Sequence, residues 1–192
     1  MVNTFLPYTN LDSVRLLDSK RLNKQISEAL QILRVLRSLH AIAYHYNCQY
    51  TGGTLAEYIA SLRKIHLQYE GKYYIYHNND NMCIMSTNPI YMAGWQQVKL
   101  GFCFHPAVRM WFGYEQSLGF YINCCIHEFI SRGGNHNFEL RPYQHDVSNA
   151  IPPWLTEDFS QRHRGSLCSK QPEYYVRLFG NEVFYGYSWP VS

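Results

Sequence analysis

Lys20-Arg21-Leu22-Asn23-Lys24-Gln25-Ile26-Ser27-Glu28-Ala29-Leu30-Gln31-Ile32-Leu33-Arg34-Val35-Leu36 carries the pattern that sets the fold class. Its apolar residues Leu22, Ile26, Ala29, Leu33 and Leu36 recur at steps of four and three, which makes one continuous helical face. Asp12 or Ser13 supplies N-cap chemistry for a helix that the pattern carries to about Leu39. Asp18, Arg21, Gln25 and Glu28 follow the same steps on the other side, flanked by Lys20 and Lys24. Two readings fit that polar stripe. It is either a solvated face, with a Lys24–Glu28 ion pair worth roughly a few tenths of a kcal/mol, or a face turned towards a ligand.

Outward from this helix, residues 1–10 are rich in turn formers, with Asn3, Pro7 and Asn10. After Gly52-Gly53, Thr54 caps a second helix to about Tyr69. Tyr73 to Tyr76, the polar run His77 to Asn81 and the apolar Met82 to Met85 predict a hairpin or a looped insert within about 71–101. Pro106 opens a third helix, in which Val108, Trp111, Leu118, Ile122, Cys125 and Phe129 keep phase until Gly133-Gly134. Residues 135–155 read as loop, Thr156 as the cap of a short helix, and Ser169 with Pro172 as the start of another that stops at Gly180. The closing Tyr187-Ser188-Trp189-Pro190 reads as an extended cover. The expected class is mainly α: one helical domain over 1–192 with a small β-hairpin insert and an extended C-terminal tail.

At 192 residues and 46% hydrophobic, the chain can bury a proper core. Its net charge of +3 permits a polyanionic partner without demanding one. Its 17 tyrosines suit a core, an interface or a stacking platform equally. The six cysteines form no CxxC pair and follow no signal-peptide pattern, so the expectation is reduced thiols in an intracellular protein. No apolar run approaches the ~18 residues that span a membrane. Nothing specifies an oligomer, which leaves a monomer as the default. HExxH, GxSxG, P-loop and GxGxxG patterns are missing, so no metal or cofactor is expected.

Three blocks resemble the pyrimidine-dimer DNA glycosylase (endonuclease V-like) family, in its cellular and viral branch. The first is Thr4-Phe5-Leu6-Pro7-Tyr8 with Leu17 to Gln25 and Glu28 to Leu33. The second is His105-Pro106-Ala107-Val108-Arg109-Met110-Trp111 with Gly113-Tyr114-Glu115. The third runs from His163-Arg164-Gly165-Ser166-Leu167 through Lys170 and Pro172-Glu173 to Trp189-Pro190. Residues 47–100 and 134–150 read as insertions.

The resemblance implies a repair enzyme acting on damaged double-stranded DNA, a glycosylase with AP lyase activity. Its catalytic groups would be the α-amine of Val2, exposed once Met1 is removed, and the carboxylate of Glu28. An α-amine has a pKa of about 7.7–8.0 against about 10.4 for lysine, so much more of it is neutral and nucleophilic near neutrality. Such an amine attacks C1′ and forms a Schiff base, while a carboxylate stabilises the charged sugar and removes a 2′ proton for β-elimination. Where the family has arginines around its glutamate, this chain has Asn3, Ser27 and Gln31. Candidate DNA contacts are instead Lys20, Arg21 and Lys24, with Arg109 and Arg164, and the lesion is left open.

Several further residues carry two readings each. His105 contacts phosphate or holds the helix start; Glu115 needs a partner such as Arg21, Arg109 or Arg164. His163, Arg164 and Ser166 form a phosphate-binding cluster or an ordinary turn. Trp111, Tyr187 and Trp189 stack on a flipped base or fill the core. The competing functions are a non-catalytic helical nucleic-acid-binding module and a nuclease that uses Glu28 without a covalent intermediate.

Overall fold

Helices dominate the computed structural model, which describes residues 6–68, 74–78, 81–85, 95–135, 151–186 and 189. A short 3-10 helix, Leu11–Leu16, precedes α1 (Ser19–His45) and α2 (Leu55–Gln68). Three strands follow: β1 (Tyr74–Asn78), β2 (Asn81–Met85) and β3 (Trp95–Gln97). Then come α3 (Pro106–Trp111), α4 (Glu115–Ser131), α5 (Glu157–Lys170) and α6 (Pro172–Phe179). The chain is thus mainly α, as expected. Val2, positions 136–150 of the loop predicted over 135–155, and the tail positions Tyr187, Ser188 and Pro190 lie outside the described residues. Two units divide the chain. One takes in the residues up to Gln31 and from Gly113 to Pro190, the other Ile32 to Phe112 with the last two residues.

In the first unit, the opening helix does not run straight on from Asp12 or Ser13. Leu11–Leu16 winds as a 3-10 helix and Leu17 is extended. Arg132, just past α4, is the reason: it donates to the carbonyl oxygens of Leu17 and Arg15, each at 2.6 Å. Those carbonyls are therefore satisfied without another helical turn. Asp18 then starts α1 as a side-chain cap, accepting from Arg21 N at 3.0 Å. The Tyr175 hydroxyl of α6 donates to Asp18 Oδ2 and accepts from Asp18 N at 3.0 Å. This fixes the cap from both sides.

The helix expected from Pro106 to Gly133 is two helices. The chain turns at Gly113 with φ +83°, a conformation that suits glycine, and Glu115 Oε1 accepts from Gly113 N at 2.9 Å. Glu115 is thus a half-buried residue that organises this turn at the start of α4. Leu118, Tyr121, Ile122 and Cys125 of α4 are fully buried with Leu22 and Ile26 of α1 in this unit's core. Thr156 caps α5 as predicted, accepting from Phe159 N at 3.3 Å. α6 ends at Gly180, also as predicted.

The second unit buries Leu36, Leu39 and Ile42 of α1, Ile59 and Leu62 of α2, and Val108 and Trp111 of α3. Trp111 is therefore core. Thr54 and Glu57 form a capping box, with reciprocal bonds of 2.8 and 3.2 Å. The predicted hairpin is β1–β2, antiparallel with Asn78 opposite Asn81. β3 joins the other edge of β1, giving the order β2-β1-β3; three residues are too short for alternation to announce a strand. Lys99 N donates to Ser38 Oγ at 3.0 Å and Arg34 Nη2 to Gln97 O at 3.3 Å, tying the end of β3 to α1.

The tail closes on α5. A Cβ placed on Gly165 would lie 2.5 Å from the Val183 carbonyl oxygen and 2.7 Å from its carbon. Both are backbone atoms that a rotamer change cannot move aside. Gly165→Ala is therefore expected to lower stability by about 1–3 kcal/mol, read as a fall in thermal midpoint. An unchanged midpoint would mean that the tail does not rest on this helix.

Candidate active site

Two helices of the first unit each present residues at positions i, i+4 and i+7, which stack on one side of a helix. On α1 these are Arg21, Gln25 and Glu28, joined by Lys24; on α5 they are His163, Leu167 and Lys170. All seven line one cavity of about 450 Å³, within the range of small-molecule sites. The polar stripe is thus a cavity wall rather than a solvated face. Glu28 is only 8% exposed, although the Lys24–Glu28 pair also forms, Nζ to Oε1 at 3.7 Å, with the Lys24 side chain 53% exposed.

The cavity is cationic. Arg21, Lys24 and Lys170 surround the single carboxylate of Glu28. Gln25 is buried, and its Oε1 accepts from the Tyr121 hydroxyl at 3.0 Å. Burial holds that phenol well above its ordinary pKa, with Cys125 and Glu28 adding to the effect, so Tyr121 stays a donor and sets the orientation of the Gln25 amide. His163 is 2% exposed. Burial, reinforced by Lys170, Arg21 and Arg164, pushes its imidazole down to about 3. It is therefore neutral throughout the physiological range. Burial and the charges of Arg21 and Lys24 lower the Lys170 ammonium, with Glu28 acting the other way.

Asp18 caps α1 and does not line the cavity. Lys20 is exposed outside it. Arg164 is buried and holds the fold together, donating to Pro7 O at 2.9 Å, Glu157 Oε1 at 2.8 Å and Glu182 Oε1 at 3.1 Å. Its guanidinium also lies 4.7 Å from the Tyr8 ring centroid. Ser166 is buried on α5. The block containing these residues is helix, not turn. His105 and Arg109 belong to the second unit, where His105 Nδ1 accepts from Ala107 N at 3.2 Å and caps α3. Trp189 is half-buried.

Sequence reasoning missed Leu167 and Lys170 as cavity residues. Their spacing from His163 would have shown them once the helix was drawn to Lys170. Among the described residues, no group of three or more His, Cys, Asp or Glu is placed to hold a metal ion. No helix among them is long and apolar enough to cross a membrane.

A sequence model described as pyrimidine dimer DNA glycosylase matches residues 2–142. The matched span contains the α1 wall of the cavity and stops before α5. No curated protein and no solved structure matches the chain.

The buried imidazole makes stability pH-dependent. In the unfolded chain a histidine takes up a proton near pH 6.5, whereas folded His163 resists protonation until about 3. Stability present above the unfolded value is therefore lost as pH falls from 6.5 towards 3, at up to about 1.4 kcal/mol per pH unit. His163→Gln should flatten that slope in denaturant titrations between these limits. An unchanged slope would place the imidazole in water.

Proposed function

We propose that this chain, which belongs to the pyrimidine dimer DNA glycosylase family, excises a damaged base at the Glu28 cavity and then cleaves the strand as an AP lyase. The family makes DNA the substrate and repair the process. The observation that carries the site is Glu28: a nearly buried carboxylate on the family-matched helix, in a cavity whose other charged residues are the cations Arg21, Lys24 and Lys170.

The cations suit a polyanion. Arg21 and Lys24 draw phosphates of the strand to the cavity mouth, an attraction that depends on summed charge. The lesion nucleotide turns into the cavity, where Glu28 stabilises the positive charge that develops on the sugar as the base departs. The α-amine of Val2, freed by loss of Met1, attacks C1′ and forms the imine. Glu28 then takes a C2′ proton and the 3′ phosphate leaves. An amine, a carboxylate and water suffice for these steps. Neutral His163 lines the cavity without adding to its charge.

Glu28→Gln keeps the size and the Lys24 contact but removes the base. Strand cleavage at an abasic site should fall by about 10²–10⁴-fold, with the circular dichroism spectrum and duplex binding retained. Borohydride should trap a covalent protein–DNA adduct with the wild-type protein. Cleavage without any trapped adduct would favour hydrolysis by a nuclease, and full activity in Glu28→Gln would remove the carboxylate from the mechanism.

A further inference from the structure

Lys170 has no part in the steps above, yet it shares a cavity with Glu28. It sits on α5, two helical turns after His163, whereas Glu28 is on α1. An amine and a carboxylate thus approach a cavity occupant from different helices. Attack at C1′ and proton removal at C2′ require groups that reach two neighbouring sugar carbons at once.

The charged groups that bear on Lys170 are Arg21, Lys24 and Glu28 of α1. Loss of solvent where the otherwise exposed Lys170 lines the cavity lowers its proton affinity first, and the two cations add to the effect, so part of the amine is neutral at a lower pH than in an ordinary lysine. Lys24, the other amine of the cavity, is engaged by Glu28, Nζ to Oε1 at 3.7 Å. α5 also lies beyond the residues that the family model matches.

We propose that Lys170 is a second imine-forming amine of this cavity, one that captures the aldehyde of an abasic site. The inference rests on the reading of the cavity as a lyase site but not on Val2. The neutral Nζ adds to C1′ of the ring-opened sugar, and the carbinolamine loses water to give an iminium ion. Glu28 takes a C2′ proton, leaving an enamine. Its electrons expel the 3′ phosphate as the C3′–O bond breaks. Water hydrolyses the conjugated imine, returning Lys170 and an unsaturated aldehyde on the cleaved strand. No oxidant or reductant enters.

The test is to trap the wild-type protein on an abasic-site duplex with borohydride, digest the adduct and locate the modified residue by mass spectrometry. Lys170→Arg is treated alike; arginine keeps the positive charge, but its guanidinium does not form the imine. The expected result is an adduct on the peptide containing Lys170 that disappears in Lys170→Arg. Trapping by a protein with a blocked α-amine should also fall about tenfold or more in that variant. Binding of a duplex with a tetrahydrofuran site, which has no aldehyde, should stay the same. Modification of the Val2 amine alone, with Lys170→Arg trapping at the wild-type rate, overturns the inference and leaves the proposed imine chemistry standing. Weaker tetrahydrofuran-duplex binding that matches the trapping loss also overturns it, assigning Lys170 to holding DNA. No adduct on any residue overturns both readings.

Discussion

The guanidinium of Arg164 is the contact on which the α5 wall of the cavity depends. Burial alone disfavours its charge, but hydrogen bonds and the carboxylates of Glu157 and Glu182 more than compensate, so its pKa rises. Its three nitrogens reach the Pro7 carbonyl, the start of α5 and the C-terminal tail. Segments from both ends of the chain are thereby joined at one helix. Removing one partner of a buried, hydrogen-bonded charge costs about 3–5 kcal/mol. The neighbouring Gly165 lets the tail backbone come into contact with α5 on the next residue. One turn of helix thus combines a charge clamp with a close backbone approach.

α1 is anchored by a separate polar set. Arg132 ends the 3-10 helix by taking its carbonyls, and Asp18, held by Tyr175, restarts the chain as α1. These contacts determine where the first α-helical turn begins, and so which side chains of the stripe enter the cavity. A register change of one residue would rotate the stripe by about 100° and carry Glu28 out of it. Asp18 and Arg164 hold the two cavity helices in place, and neither lines the cavity itself.

The cavity's chemistry follows from how few neutralising partners it holds. Three cations share one carboxylate, and the histidine is kept uncharged by burial. An anion entering this space meets attraction that the protein leaves unspent, which accords with DNA as the substrate of the family. Burial first, and then the charges of Arg21 and Lys24, lower the proton affinity of Lys170.

Much of this was readable in the sequence. The steps of four and three through Leu22, Ile26 and Ala29 determined α1 and put Arg21, Gln25 and Glu28 on one face, because helical geometry links spacing to direction. The Thr54 and Thr156 caps and the Gly180 stop are local chemistry and were placed correctly. Phase alone could not reveal the breaks at Leu17 and Gly113. One is caused by Arg132, more than a hundred residues distant in sequence, and the other by a glycine that periodicity passes over. Only the tertiary structure separated Arg164, whose donors serve the fold, from Lys170, whose amine lines the cavity. Both are cations of one short block, and sequence records charge but not which groups stand within 3 Å of it. By itself the sequence determined the helical class, the family blocks and the Glu28 stripe. The second wall of the cavity was decided by packing, because long-range hydrogen bonds and burial select which polar face is turned inward.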